Sequence, residues 1–205
     1  VAASFSGNFS LKSLAGPGAR PYLPLIFGLG ISLVLLSSQV ASTVINREGK
    51  RFWETKTLPI SSWDNLRYRL LTTVIINLIG AVVLSIILSY VISLNLKVIV
   101  LGGLLHLAVS LCLSTIDLMI NIGRPLLDWT NPSAAVKNNM NSLYSMIPRG
   151  AAGIAAFILV KTLGGMGIGS QALILIMIAM FAIGYLVARI ILKSRYVEEF
   201  DQITV

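Results

Sequence analysis

Long apolar runs, separated by short charged segments, are the feature that most limits what this chain can fold into. The runs over residues 24–45 and 71–94 are each about long enough to cross a hydrocarbon core of roughly 30 Å as a helix that rises 1.5 Å per residue. Hydrophobic residues make up 56% of the chain and charged residues 12%, and the mean hydropathy is +0.85. These values exceed those of ordinary soluble domains. The sequence therefore predicts an all-α, polytopic helical membrane protein.

Five crossings are predicted, with two amphipathic cytoplasmic helical segments between them. An extracellular loop is expected over residues 1–21 and a transmembrane helical domain over residues 22–205. The crossings are predicted at residues 22–45, 70–94, 97–120, 149–164 and 171–192, the cytoplasmic loops at residues 46–69 and 121–148, and a soluble cytoplasmic tail at residues 193–205. In the second loop, Asn131 and Pro132 are expected to begin a helix that Pro148 ends or kinks.

The charge distribution predicts the orientation. The net charge of +8 could suggest a nucleic-acid partner, but the basic residues cluster at the ends of apolar runs. Twelve of the sixteen Lys and Arg residues, and all eight acidic ones, fall on the side of the loop at residues 46–69. We expect a multi-pass plasma-membrane protein with the N-terminus of this chain outside, its C-terminus cytoplasmic and no nucleic-acid partner. Because the chain starts outside at Val1 and has an odd number of crossings, at least one preceding helix is also expected.

Polar residues within the apolar runs allow two interpretations. In the first run they are Ser37, Ser38, Gln39, Ser42 and Thr43, which suit helix–helix hydrogen bonds and, less simply, a cavity-lining face. In the third run, His106 could relay a proton or bind a ligand, although a neutral His is also cheap to bury. Asp117 lies near the end of that run, and a structural lock, at the interface or paired with Arg124, is the favoured role.

The first charged loop is amphipathic. Its apolar residues, Trp53, Leu58, Ile60 and Trp63, are interleaved with the cations Arg47, Lys50, Arg51, Lys56, Arg67 and Arg69. Such a segment lies flat and offers one face to a partner or to lipid headgroups. From composition alone, docking and an interfacial aromatic belt are equally good interpretations.

Two motifs resemble a known family. Residues 47–53 (REGKRFW) followed by residues 58–61 (LPIS) look like the first cytoplasmic loop of type-2 ABC exporter permeases. The second loop resembles a signature of ABC exporter permeases of Gram-positive bacteria, although the step from Asp117 to Pro125 is longer here. The matching residues include Asp117, Arg124, Pro125, Asp128, Trp129, Asn131, Lys137, Asn139 and Asn141. Together the motifs cover roughly a quarter of the chain and are specific as a pair.

The resemblance implies a function. In that family the first loop is a coupling helix that docks on a cytosolic nucleotide-binding (ATPase) subunit, and these crossings would be the second to sixth helices of a six-helix unit. Phe52, Trp53 and Leu58 would then anchor the helix, and Glu48, Lys50 and Arg51 would form its polar rim. A second membrane half, identical or different, and the lipid bilayer are the other expected partners.

No catalytic or metal site is predicted in the chain. It has no nucleotide-binding Gly-Lys-Ser/Thr motif, and its one cysteine, Cys112, lies in an apolar run. We therefore expect no cofactor on this chain, with ATP and Mg bound by the partner subunit. The alternatives are an ion-coupled secondary transporter or channel that uses His106 and Asp117, and a non-transporting membrane scaffold subunit.

Overall fold

Every regular element in the described residues is helical. The computed structural model describes residues 20–36, 39–92, 94–131, 133, 135 and 140–204. The α-helices are α1 (Leu23–Leu36), α2 (Phe52–Thr57), α3 (Ser62–Ile92), α4 (Leu96–Gly123), α5 (Met140–Gly165), α6 (Ser170–Ile191) and α7 (Val197–Gln202). Turns of 3-10 helix span Arg20–Tyr22, Ala41–Thr43 and Asn46–Arg51, and a π-helical turn, Leu192–Tyr196, joins α6 to α7.

Four of these helices are long and apolar enough to cross a membrane: α3, α4, α5 and the continuous helix Ser170–Gln202. Much of their surface is apolar and exposed, as at Ile79, Val82, Phe157 and Ile183. Exposing apolar surface of that extent to water is unfavourable, whereas contact with lipid is not. The predicted fold class, an all-α polytopic helical membrane protein, is confirmed.

Helix α4 is the centre of the bundle, and α1, α3, α5 and α6 all pack against it. Small side chains allow the close approach. A Cβ at Gly28 of α1 would lie 2.7 Å from the carbonyl oxygen of Gly102, and one at Gly102 would lie 2.5 Å from Phe27 Cδ1. Further along, Ser32 meets His106 and Ile45 meets Asn121, so α1 and the segment after it run parallel to α4.

The connections between helices lie at two opposite ends of the bundle. We call the end with residues 39–61, 124–131 and 192–204 the loop end, and the end with the turns at residues 94–95 and 166–169 the turn end. Contacts join the loop-end segments, for example between Lys56 and Phe200 and between Asn46 and Trp129. The loop end is thus a structured unit on the membrane helices.

The predicted first crossing is not one continuous helix. Helix α1 ends at Leu36, and its 14 residues span about 21 Å, less than a hydrocarbon core. Gln39 has a positive φ of 57°, and the hydroxyls of Ser42 and Thr43 donate to the Gln39 carbonyl oxygen at 3.1 and 3.0 Å. Such side-chain bonds compete with helical ones, which explains the 3-10 turns here. Ser37, Ser38 and the first 19 residues of the extracellular loop predicted at residues 1–21 lie outside the described residues.

Two further boundaries differ from the prediction. Helix α5 spans Met140–Gly165 and carries Pro148 inside it, so of the two predicted effects of Pro148, an end or a kink, the end does not occur. Proline costs one backbone hydrogen bond, which membrane helices tolerate. The predicted tail is helical where it is described: residues 193–204 continue from α6 into α7 and bury Phe200. The predicted start of a helix at Asn131 involves Pro132, which lies outside the described residues.

The contact between Gly28 and Gly102 can be tested with a matched pair of variants. Gly28→Ala should lower the free energy of unfolding by about 1–3 kcal/mol, since the new methyl group meets backbone that cannot move aside. Gly30→Ala, in the same helix, meets nothing within 4 Å and should be neutral or slightly stabilising. Denaturation in detergent micelles measures both, and equal effects would contradict the packing described.

Candidate functional site

The two sequence motifs meet at Asn46, a fully buried residue of the loop end. Its side-chain oxygen accepts hydrogen bonds from Asn121 Nδ2 and from the backbone N–H of Leu126, both at 2.8 Å. Its backbone oxygen accepts one from Trp129 Nε1 at 2.7 Å. Asn121 Oδ1 in turn accepts from the backbone N–H of Ile45 at 2.8 Å. The first loop, the second loop and the end of α4 are therefore one hydrogen-bonded unit.

The backbone conformation after Glu48 and the close approach of Trp129 both require a glycine at position 49. Its φ is +54°, a backbone conformation that residues with a Cβ rarely adopt. A Cβ here would also lie 2.7 Å from atoms of the Trp129 ring. The indole therefore packs directly on the glycine and fixes the turn that leads into α2.

Glu48 faces inward, which corrects the prediction that it belongs to the rim of a docking surface. Its carboxylate pairs with Arg69 of α3 at 2.6 Å and accepts a hydrogen bond from Thr55 Oγ1 at 2.7 Å. Arg69 Nε also donates to Asn65 Oδ1 at 2.6 Å. Both members of the pair are largely buried, so the interaction joins the 3-10 turn before α2 to α3 instead of facing a partner.

Phe52 is also internal, so its predicted role as a docking anchor is wrong. Its ring is fully buried and meets Phe200 of α7 edge-to-face, with ring centroids 5.6 Å apart. The Lys56 ammonium lies 4.4 Å from the Phe200 ring centroid and donates to the Phe200 carbonyl oxygen. Burial lowers the pKa of Lys56 below its ordinary value, while nearby Asp201 opposes that shift. Helix α7 thus clamps the inner face of α2.

An apolar patch remains on the outer face of this segment. Trp53, Leu58 and Ile60 are 58%, 52% and 44% exposed, and we call these three residues the outer patch. Charged side chains border it: Arg51 pairs with Glu54 at 3.2 Å, and Lys50 pairs with Asp128 of the second loop at 3.3 Å. Of the predicted docking residues, Lys50, Arg51, Trp53 and Leu58 are therefore accessible.

Among the other residues of the second motif, some are exposed and others make hydrogen bonds within the loop end. Pro125 and Asp128 are exposed, and Asn131 Oδ1 accepts from the backbone N–H of Ser133 at 2.9 Å. Asn141 Nδ2 donates to the Arg124 carbonyl oxygen at 2.8 Å, and the Arg124 guanidinium lies 4.3 Å from the Tyr144 ring centroid. Lys137 and Asn139 lie outside the described residues.

Asp117 pairs with Arg149 of α5 at 2.5 Å, not with Arg124 as the sequence suggested. The carboxylate is almost completely buried, and the guanidinium is mostly so. Removing one partner of such a buried pair strongly destabilises the fold, because the other charge stays buried without a partner. The pair joins α4 to α5, as a structural lock would.

Buried polar side chains form a stripe along α4. At about 100° per residue they fall within about 80° of one helix face. The residues are His106, Ser110, Ser114, Asp117 and Asn121. His106 Nδ1 lies 3.1 Å from Ser32 Oγ, and Asn77 of α3 donates to Ser110 Oγ at 2.9 Å. Within the described part of the chain, the Ser114 hydroxyl has no hydrogen-bond partner. The stripe connects the middle of the bundle to the loop end.

No group of three or more His, Cys, Asp or Glu residues that could hold a metal occurs among the residues described. Comparisons with protein-family models, with curated proteins and with solved structures find no match to this chain.

Sequence reasoning missed the residues that hold the site together: Asn46, Asn121, Arg69 and Phe200. Asn46 and Asn121 each stand next to an apolar run, and an amide there is a usable signal because it needs a partner. The pairing itself joins distant parts of the chain, so nothing local in the sequence indicates it.

Asn46 can be tested against an exposed control. Asn46→Ala should lower the free energy of unfolding by about 2 kcal/mol or more, because Asn121 and the Leu126 N–H both lose their acceptor. Lys50→Ala removes a pair whose side chains are 67% and 90% exposed, and should change stability by less than about 0.5 kcal/mol. The measurement is chemical denaturation in mixed micelles. Similar losses in the two variants would show that Asn46 does not hold the loops together.

Proposed function

We propose that this chain is the membrane-spanning permease subunit, or part of one, of an ATP-driven ABC exporter of the type-2 class. A separate cytosolic nucleotide-binding subunit hydrolyses ATP and binds ATP and Mg, and it docks on the outer patch. The observation that carries this proposal is the two-sided character of α2. Its inner face packs on the rest of the loop end through Phe52, whereas Trp53 of the same helix is exposed, as are Leu58 and Ile60 directly after the helix.

A coupling element must transmit displacement to the helices that line the transport path. Three contacts serve that purpose here. The Glu48–Arg69 pair connects the segment to α3, the Asn46–Asn121 hydrogen bond connects it to α4, and the Phe52–Phe200 contact connects it to α7. A partner that moves the outer patch would therefore move α3 and α4 with it.

The composition of the outer patch suits a protein partner. Tryptophan is enriched among the residues that dominate interface energies, and a rim of charged groups favours correct orientation. Lys50, Arg51 and Glu54 supply such a rim. Lipid headgroups are the competing occupant, since tryptophan is also common at membrane interfaces. The inward anchoring of α2 favours the protein partner, because an interfacial aromatic belt needs no such clamp.

The orientation follows from the same loop end. Seven of the fourteen described Lys and Arg residues lie in its segments and none in the turns of the turn end, and the positive-inside rule predicts that such basic segments are cytoplasmic. The proposal therefore puts the outer patch on the cytoplasmic face of the plasma membrane, where an ATPase subunit would reach it. A second membrane half, homomeric or heteromeric, completes the transporter.

Docking on the outer patch predicts loss of the partner on charge insertion. The double variant Trp53→Asp, Leu58→Asp should release a co-purifying ATPase subunit from the membrane-extracted complex, since both side chains are exposed and neither supports the fold. ATPase activity and subunit stoichiometry are the measurements. The control is Met166→Asp, at an exposed position of the turn end, which should retain the partner. If no nucleotide-binding subunit accompanies the chain, or if the double variant keeps it, the proposal fails.

The polar stripe of α4 favours a second candidate function, an ion-coupled secondary transporter or channel. Ionisable groups inside a membrane commonly mark proton and ion pathways. His106 is fully buried and bonded to Ser32, and the Asp117–Arg149 pair lies further along the same face. The hydroxyls of Ser110 and Ser114 are buried on that face between them.

An ion-coupled pathway can be distinguished from an exporter in liposomes without ATP. If His106 carries protons, flux driven by a pH gradient should fall about a hundredfold in His106→Leu, the usual scale for losing a proton-transfer group. Thr162→Ala, at an exposed position of α5, should leave the flux unchanged. Absence of ATP-independent flux in the parent chain would exclude this second candidate.

A further inference from the structure

A cleft of about 440 Å³ opens at the loop end between α4 and α5. Its walls are formed by Ile116, Met119 and Ile120 of α4 and by Tyr144 and Ile147 of α5, with Arg124 at its mouth. We propose that this cleft binds one anionic phospholipid, with the phosphate at Arg124 and an acyl chain against the isoleucines. The proposal goes beyond the proposed function and does not depend on it, because neither α2 nor the outer patch takes part.

Arg124 is held in place at the mouth without being neutralised. Asn141 Nδ2 fixes its backbone carbonyl at 2.8 Å, and its guanidinium lies 4.3 Å from the Tyr144 ring centroid. Among the described residues, no carboxylate lies within ion-pairing distance of this guanidinium. A planar, positioned guanidinium is well suited to two hydrogen bonds with a phosphate.

The interior of the cleft changes from polar to apolar along the helices. On α4, Ile116 lies two turns deeper than Arg124, and on α5, Ile147 lies about one turn deeper than Tyr144. Ile147 is 67% exposed, and Ile154 and Ile158 continue the same exposed face of α5 away from the loop end. The cleft is therefore open on its side, with an apolar path that leads into the membrane-spanning part of the bundle.

This arrangement matches an amphiphile better than a soluble anion. A soluble anion would need only Arg124 and would leave the apolar walls unused, whereas a phospholipid covers both. Basic pockets between membrane helices on the cytoplasmic side bind anionic headgroups, and each cation near such a surface contributes about 1 kcal/mol. Phosphatidylcholine carries the same phosphate with a compensating charge, so the cleft should prefer a net negative lipid.

The test is a titration of the purified full chain in detergent with phosphatidylglycerol or phosphatidylcholine of identical acyl chains, followed by native mass spectrometry. We expect one tightly bound phosphatidylglycerol per chain. Arg124→Ala should weaken that affinity about fivefold, which corresponds to the loss of one such cation. Arg67→Ala removes an equal charge at an exposed position of α3 outside the cleft and should leave the affinity unchanged.

A second variant keeps the result clear if Arg124→Ala misfolds. Ile147→Trp places bulk at the exposed side of the cleft, where it disturbs no buried packing, and should exclude the acyl chain. Equal binding of the two lipids, unchanged affinity in both cleft variants, or displacement by free inorganic phosphate at the lipid's own concentration would each overturn the proposal.

Discussion

The buried amide of Asn46 is the contact on which the architecture of the loop end depends. One side-chain oxygen accepts from the end of α4 and from the second loop, and the backbone oxygen of the same residue accepts from Trp129. Without the side-chain amide, Asn121 Nδ2 and the backbone N–H of Leu126 would both lose their acceptor. A buried donor left unpaired, as Asn121 Nδ2 would be, costs about 1–3 kcal/mol. The glycine at position 49 then allows the Trp129 ring to lie against the first loop.

The turn end and the loop end are held by different forces, although both depend on α4. Near the turn end, Gly28 and Gly102 allow the backbones of α1 and α4 to come into contact. Such close packing provides dispersion energy, which matters because the hydrophobic effect does not drive helices together in lipid. At the loop end, hydrogen bonds and the Glu48–Arg69 ion pair hold the segments together. The polar stripe of α4 begins in the middle of the bundle and reaches the loop end, so this helix packs closely through Gly102 near the turn end and through hydrogen bonds towards the loop end.

The neighbours Phe52 and Trp53 have opposite environments in the first loop. The ring of Phe52 packs edge-to-face against Phe200, whereas the ring of Trp53 is exposed at the loop end. If a partner docks on the outer patch, as proposed above, the buried contact of Phe52 connects the docked segment to α7. That connection would distinguish a coupling segment from an amphipathic loop that only lies on the membrane surface.

Hydrophobic length and charge position act locally along the chain, so the helical class, the long apolar helices and the positions of the charged segments could be predicted from the sequence alone. The sequence also indicated Trp53 and Leu58, which are exposed as a docking role would require. Three features needed the folded structure: the inward direction of Phe52 and Glu48, the pairing of Asp117 with Arg149, and the packing of residues 193–204. Successive residues on a helix differ by about 100° in direction, and which direction is inward depends on partners far along the chain.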